Sequence, residues 1–566
     1  MKSSSHPGAF HVLDALVSCG LRDVVVSPGS RHAPLVLSAE AHPLLRVFIA
    51  LDERSAAHMA MGMGLKSRVP TAVISTSGTA AVNHGPAIAE AHFQRTPLIS
   101  ITADRPASRR NEGLGQVVYQ QQLFSVHTLF DMELDEVSMD AASLRAHAVN
   151  AWESALFGPV HLNIPFEEPL YDAKDWESWG GTPSLQRESS EEWSIPEDLL
   201  DHLCTHDPRV LLLAGALPYH ATWSQLSPLL SNKVAAFVDV FSHLRGEDLE
   251  GSSERFLAGV LGSFPDALKP QCIITIGLPP MSKLLRSQLS ALEVDHWHIG
   301  SDGAAWNVFG RGVQHWNVPA PQGLQLLLES LPEYNAYAAS WSVLMDQIHM
   351  AERQVLVTKE MPWSDWMAFF MLSNKLYQQA PLSAIHFANS TSARYAQWFP
   401  WNAVRLHANR GVAGIDGGLS TAVGDALMHP DERVVHVTGD SAWLYDLNGL
   451  MVKPMPQNLK VVVINNGGGN IFHWLKGPRE IGLLETHFEV PFLEDAAASA
   501  ATVGLDYFRV SEKAEFTKIF EAWSNNDAPA LLEIQTSGST SSLCFQELQE
   551  AIGDAMPGRR NTSQPK

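Results

Sequence analysis

Cysteine is scarce in this chain: Cys19, Cys204, Cys272 and Cys544 are the four present, scattered without paired spacing. That pattern excludes a disulfide framework and a zinc ribbon, and it points to the reducing cytoplasm. Positive charge is also in short supply. Thirty-nine Lys and Arg stand against 61 Asp and Glu, a formal charge of −22, which speaks against a nucleic-acid partner or an anionic membrane surface. No apolar run approaches the roughly 18 residues of a membrane span, and the opening MKSSSHPGAF has no apolar signal core, so no membrane insertion is expected. Low-complexity tracts are missing, and among the 24 histidines no HxxxH or HxH pattern is convincing enough to suggest a metal site. What remains is a soluble globular protein of 566 residues, 45% hydrophobic, long enough for several domains.

What is present is a succession of short apolar runs: 24–27, 48–51, 71–75, 97–102 and 160–164, then 210–214, 235–240 and 272–276, then 384–388, 404–406, 434–438, 460–464 and 530–534. Each is too short for a helix and apolar almost throughout, the pattern of a buried parallel strand. Helical stretches lie between them, at about 7–20, 55–66 and 80–91 and after a capping Ser364. The alternation predicts an α/β protein of three doubly wound domains with parallel sheets, spanning 1–180, 197–345 and 360–553. Residues 171–196, with Gly180-Gly181 and no periodicity, read as a linker, and those after Gly553 as frayed.

Ligands of open α/β sheets bind at the carboxyl ends of strands, and the chemistry-bearing residues cluster there. One run ends in Gly439-Asp440 and the next in Asn465-Asn466 before three glycines. Asp440, Asn466 and the Gly468 carbonyl offer the hard oxygen donors that Mg²⁺ prefers, although both motifs are equally ordinary strand-ending turns. Glu53 lies between Asp52 and Arg54 where a strand passes into a small-residue helix; a solvated charge cluster at a helix start is the competing reading. The segment Ser27-Pro28-Gly29-Ser30-Arg31 forms a turn with exposed amides. Thr76-Ser77-Gly78-Thr79 with Asn83 presents hydroxyls that either line a pocket or cap the next helix. Residues 62–67, GMGLKS, lack the phosphate-loop spacing, and Gly467-Gly468-Gly469 is not a dinucleotide fingerprint.

A GD pair followed in the next strand by NN resembles the signature of thiamine diphosphate enzymes. SPGSR, DERSAAH, TSGTAAVN, TADRP, ANRGVAGIDGGLST, GDSAWLYDLN and NNGGGNIF occur in one order. Together they resemble the 2-succinyl-5-enolpyruvyl-6-hydroxy-3-cyclohexene-1-carboxylate synthase family of menaquinone biosynthesis. The resemblance covers the first and third domains; the central one matches weakly, through Pro280-Met281-Ser282-Lys283. One departure is Ala442, where a serine is expected, with Ser441 beside it.

The resemblance implies thiamine diphosphate and Mg²⁺ as cofactors, with Mn²⁺ as a substitute, and a transferase reaction. In that reaction 2-oxoglutarate loses carbon dioxide and its remaining carbons add in a 1,4 sense to isochorismate. It assigns Glu53 as the catalytic glutamate, bonded to N1′ of the aminopyrimidine. Pro28, Ser30, Glu53, Thr79, Asn83, Gly439, Asp440, Asn466, Ile471, Phe472 and Leu475 would surround the cofactor, and Asp440, Asn466 and Gly468 would hold the metal. Arg31, Arg105, Gln116, Lys283, Ser390, Arg394 and Arg410 would bind the substrates. Those substrates carry four carboxylates between them, which suits the planar fork of arginine. A homodimer or homotetramer with active sites shared between chains is also implied. Two other readings stand beside this one. Another thiamine-dependent 2-oxo-acid decarboxylase or carboligase is disfavoured by the lack of a His-His pair. A silent cofactor-binding paralogue is disfavoured by the joint presence of Glu53 and the metal ligands.

Overall fold

The computed structural model describes residues 2–176, 192–205, 207–245, 252–262, 264–301, 303, 305–474 and 476–557. Its backbone is built on three sheets. The first has seven strands in the order Val452–Lys453, Arg46–Ala50, Asp23–Val26, Ala72–Ser75, Leu98–Asp104, Pro159–Pro165 and Phe130–Glu133. All are parallel except Val452–Lys453, which comes from far down the chain and pairs antiparallel with Ala50 and Ile49. The second sheet is wholly parallel: Ala235–Val238, Val210–Ala214, Cys272–Ile276, Asp295–Ile299 and Gln314–Trp316. So is the third: Ala403–His407, Leu382–Phe387, Val434–Gly439, Leu459–Asn465, Ala530–Gln535 and Asp506–Val510. The α/β class with parallel sheets holds.

Each expected strand is present with ends displaced by at most two residues. The strands that the pattern did not show are mostly marginal ones. Phe130–Glu133 and Asp506–Val510 sit at sheet edges, where half-exposed positions admit charge and break the apolar run. The expected linker begins later than predicted, because Ala173–Asp175 pairs antiparallel with Lys2–Ser4; residues 177–191 lie outside those described. The helix expected over 80–91 is two helices, Thr79–Val82 and Gly85–Gln94. Pro86 is the physical reason, since it has no N–H to continue the ladder and is at home in a first turn. The helix expected over 55–66 runs Glu53–Met63. Ser364 caps Asp365–Tyr377 as expected, accepting the Met367 N–H at 3.4 Å.

The first and third sheets are joined by one helix crossing. Helices Glu53–Met63 and Gly418–Met428 approach so closely that a Cβ on Gly62 would lie 2.1 Å from the Thr421 carbonyl oxygen, and one on Gly424 would lie 2.1 Å from that of Met59. Only glycine permits that backbone contact. A single buried cluster, with Val25 and Met59 on one side and Ala422 and Val461 on the other, runs through the crossing. The helix that begins with Glu53 is therefore fixed against the unit that carries Asp440.

Candidate active site

The end of Val434–Gly439 and the end of Leu459–Asn465 lie side by side, Gly439 opposite Ile464. Asp440 opens helix Asp440–Asp446 and is 5% exposed. Its Oδ1 accepts the Ser441 N–H at 2.6 Å and the Ser441 hydroxyl at 3.2 Å, while Oδ2 accepts the N–H groups of Gly467 and Gly468 at 3.2 and 2.8 Å. Burial pushes the carboxyl pKa up, against the pull of these donors. Ser441 thus supplies a hydroxyl that Ala442 cannot. Asn466 donates its amide N–H to Asp365 Oδ2 at 2.7 Å, which leaves its amide oxygen for another ligand. The Gly468 carbonyl accepts the Asn470 N–H at 2.6 Å and keeps a second lone pair.

Asp365 itself is 0% exposed and accepts four side-chain hydrogen bonds. Thr536 and Ser541 bond Oδ1 at 2.6 and 3.1 Å; Asn466 and Asn470 bond Oδ2 at 2.7 and 3.1 Å. Sequence reasoning passed over it, because after a capping serine it reads as an ordinary first-turn acid.

The donor set has room in front of it. A Cβ placed on Gly439 or on Gly467 meets nothing within 4 Å. One carboxylate, one amide and one carbonyl form the partial shell on which Mg²⁺ carries phosphate oxygens. Among the described residues no group of three or more His, Cys, Asp or Glu is placed to hold a metal ion. Ile471 and Phe472 follow in the short helix Ile471–Trp474, half-buried, with Phe472 edge-on to Phe488 at 5.3 Å. Leu475 lies outside the described residues.

Glu53 opens its helix behind Asp52, whose carboxylate caps Ser55 at 3.1 Å. Asn83 donates to Glu53 Oε2 at 3.1 Å, so these two expected residues meet. Pro28, Gly29 and Ser30 form an exposed turn that touches the second motif: the Arg31 N–H bonds Thr76 Oγ1 at 3.1 Å, and a Cβ on Gly29 would strike Thr76 at 2.6 Å. Thr79 is exposed at the start of its short helix. Between the turns, Ser27 Oγ, His32 Nδ1, Ser75 Oγ and Ser77 Oγ are buried without a hydrogen-bond partner in the chain. Buried polar atoms rarely stay unpaired, so this cluster calls for a polar ligand. Burial takes His32 down to about 4, which leaves its ring neutral at pH 7.

The two half-sites share no hydrogen bond between Glu53 and Asp440 among the described residues. Glu53's neighbours instead grip the far end of helix Asp440–Asp446. Arg54 donates to the Tyr445 carbonyl at 2.7 Å and lies over its ring at 4.6 Å, and Asn448 donates to Asp52 at 2.9 Å.

The expected substrate residues fall into two groups. Arg31, 7% exposed, donates to the Phe166 carbonyl at 3.3 Å and pairs with Glu168 at 3.1 Å. Burial, then the neighbouring Arg105 charge, lowers its pKa. Arg105 donates to the Gly115 carbonyl at 3.0 Å, holding the loop on which Gln116 sits exposed against Gly78. In the second group, Arg394 and Arg410 are both depressed first by burial; charges facing Arg410 include Asp239, Arg394, Glu90 and Arg286. Arg410 Nη1 donates to Asn389 at 2.6 Å, and Ser390 follows at φ +72°, leading into helix Thr391–Ala396 with Arg394. Lys283 is exposed at the start of helix Lys283–Ser290. The cation of that helix that lines a cleft with Arg410, Pro280 and Trp306 is Arg286. Sequence reasoning missed it, although its place one turn beyond Lys283 was a usable signal.

Residues 7–129 match the family described as thiamine pyrophosphate enzyme, N-terminal TPP binding domain, and residues 389–534 match its C-terminal TPP binding domain. Curated relatives span nearly the whole chain. A protein of Cytophaga hutchinsonii named 2-succinyl-5-enolpyruvyl-6-hydroxy-3-cyclohexene-1-carboxylate synthase is 32% identical over 96% of this chain and 98% of its own. Proteins of the same name from Thermosynechococcus vestitus and Flavobacterium johnsoniae are 33% and 31% identical, over 89% and 93% of this chain and 91% and 95% of theirs. With both cofactor-binding halves matched and these relatives aligned nearly end to end, the chain belongs to the 2-succinyl-5-enolpyruvyl-6-hydroxy-3-cyclohexene-1-carboxylate synthase family of thiamine diphosphate enzymes.

Proposed function

We propose that the protein joins 2-oxoglutarate to isochorismate with loss of carbon dioxide, giving 2-succinyl-5-enolpyruvyl-6-hydroxy-3-cyclohexene-1-carboxylate. The supporting observation is the combination, in a member of this family, of an oxygen-donor loop at Asp440, Asn466 and Gly468 with two separate groups of arginines. Bound thiamine diphosphate supplies the electron sink for decarboxylating a 2-oxo acid. Asp440, Asn466 and the Gly468 carbonyl hold Mg²⁺, and the same donors accept Mn²⁺. Glu53 exchanges a proton with N1′ of the aminopyrimidine. Arg31 and Arg105 on one side, Arg394 and Arg410 on the other, orient substrate carboxylates, with Gln116, Lys283 and Ser390 beside them; holding two polyanions in register is an orientation effect. Ile471 and Phe472 would wall the thiazolium and the substrate ring.

We take 1–180, 197–345 and 360–553 as the pyrimidine-binding, central and diphosphate-binding domains. From the family resemblance we take the assembly as a homodimer or homotetramer in which Glu53 of one chain serves the metal loop of another. A cytoplasmic location agrees with four unpaired cysteines. No helix among the described residues is long and apolar enough to cross a membrane.

Carbon dioxide release from 2-oxoglutarate, with and without isochorismate, and from pyruvate tests the reading. We expect release from 2-oxoglutarate and a coupled product only when isochorismate is present. Turnover of pyruvate instead would replace this substrate assignment with another 2-oxo acid, and cofactor binding without any turnover would leave a silent paralogue.

A further inference from the structure

The loop that carries Arg410 is held from outside its own sheet. Residues 408–417 connect strand Ala403–His407 to helix Gly418–Met428, yet they dock on helix Gly85–Gln94 beside the first sheet. Glu90 of that helix is 3% exposed. Its Oε1 accepts the Gly411 N–H at 2.6 Å and its Oε2 accepts the Val412 N–H at 2.7 Å. Two successive amides thus turn toward one carboxyl group, and Ala413 follows at φ +62°. Such a backbone nest is a geometry that proteins usually offer to an anionic ligand. The fit leaves no slack: a Cβ on Gly411 would lie 2.6 Å from the Glu90 carbonyl oxygen and 2.8 Å from the Gln94 nitrogen. The far end of the loop is pinned too, where Gly417, at φ +73°, lies so close to the His58 ring that a Cβ would come within 2.1 Å of it.

Burying a carboxylate is costly unless its charge and lone pairs are met. An apolar side chain at position 90 would fill the space without that cost, but would leave the amides unsatisfied and the loop unheld. What Glu90 specifically fixes is the backbone immediately after Arg410, whose guanidinium is tethered on its other side by Asn389.

We infer that Glu90 is a positioning residue for Arg410: seated in the nest of Gly411 and Val412, it sets the direction in which that guanidinium meets a substrate carboxylate. The inference rests on the reading of Arg410 as a substrate ligand. It makes a helix of the pyrimidine-binding half responsible for substrate binding in the diphosphate-binding half of the same chain, a role separate from that of Glu53.

The test uses the full-length, cofactor-loaded enzyme with Glu90→Gln, Arg410→Lys and the double variant, measuring kcat, both substrate KM values and thiamine diphosphate affinity. We expect Glu90→Gln to raise one substrate KM roughly tenfold or more, with kcat and cofactor affinity little changed. That increase should vanish in the Arg410→Lys background, since residues acting through one another are non-additive. Additive effects, or a parallel loss of cofactor affinity, would overturn the inference. Glu90→Asp keeps the charge but shortens its reach, and serves if Glu90→Gln does not fold; unchanged KM values in that variant would also overturn it. If Arg410→Lys alone leaves both KM values unaltered, the assignment of Arg410 fails instead, which distinguishes the two readings.

Discussion

Asp365 stands behind the oxygen-donor loop and touches it through the side-chain amides of Asn466 and Asn470. With its four acceptor sites occupied, it leaves the Asn466 side chain one orientation, amide nitrogen inward and oxygen outward. Asp365→Ala removes the acceptor that holds the Asn466 amide. Partners of this kind typically tune metal affinity by about 10–100-fold, and we expect a loss of that size in Mg²⁺-dependent cofactor binding, read by tryptophan fluorescence titration; unchanged affinity would show that Asn466 orients itself. Glu53→Gln should melt like the wild type and slow proton exchange at C2 of bound cofactor by about 10²–10⁴-fold, the usual scale of a positioned acid or base; near-normal exchange by NMR would remove Glu53 from its role. Glu53, Asp440 and Asn466 could be picked from the sequence because they end strands, and strand ends are visible as breaks in apolar runs. Asp365 and Glu90 could not. Their partners lie 101 and 321 residues away, and an isolated acid in a helix carries no mark of what it will meet.

The crossing of Glu53–Met63 and Gly418–Met428 shows the same limit at the level of elements. Helix Glu53–Met63 was foreseeable from its small residues, and so were the parallel strands, which are buried on two faces and apolar throughout, whereas helix Gly418–Met428 was not expected. Nothing local says that Gly62 meets Thr421 or that Gly424 meets Met59. Gly424→Ala forces a methyl toward a carbonyl oxygen 2.1 Å away, so the helices must separate. Overpacking of this kind costs about 1–3 kcal/mol, and we expect it as a lowered urea midpoint together with weaker cofactor binding, because Glu53 rides on the displaced helix. A variant of wild-type stability would mean that the crossing is looser than the backbone indicates. The edge strands Phe130–Glu133 and Asp506–Val510 escaped notice for the opposite reason: they need little apolar surface, so they resemble loops.

Across the whole molecule, burial holds four histidines neutral, pushing His84, His243, His407 and His436 down to about 3. The unfolded chain takes up these protons near 6.5, so between those values it binds more protons than the folded one. The stability each histidine contributes is complete above about 6.5 and lost as pH falls toward 3, at up to about 1.4 kcal/mol per unit. His84, bonded to Ser100 at 2.8 Å, allows a clean measurement, since the buried acids cancel in a difference. The melting-temperature gap between wild type and His84→Gln should narrow from pH 7 to pH 5; a constant gap would contradict a buried neutral ring. A last consequence concerns synthesis rather than chemistry. The outer edge of the first sheet, Arg46–Ala50, is covered by Val452–Lys453, so about 400 residues must be made before its partner exists, roughly 20–80 s at ordinary translation rates. Until then the nascent chain exposes an open strand edge, the kind of surface that recruits other chains, and about four-fifths of the chain must be made before Ile49 and Ala50 meet their partners.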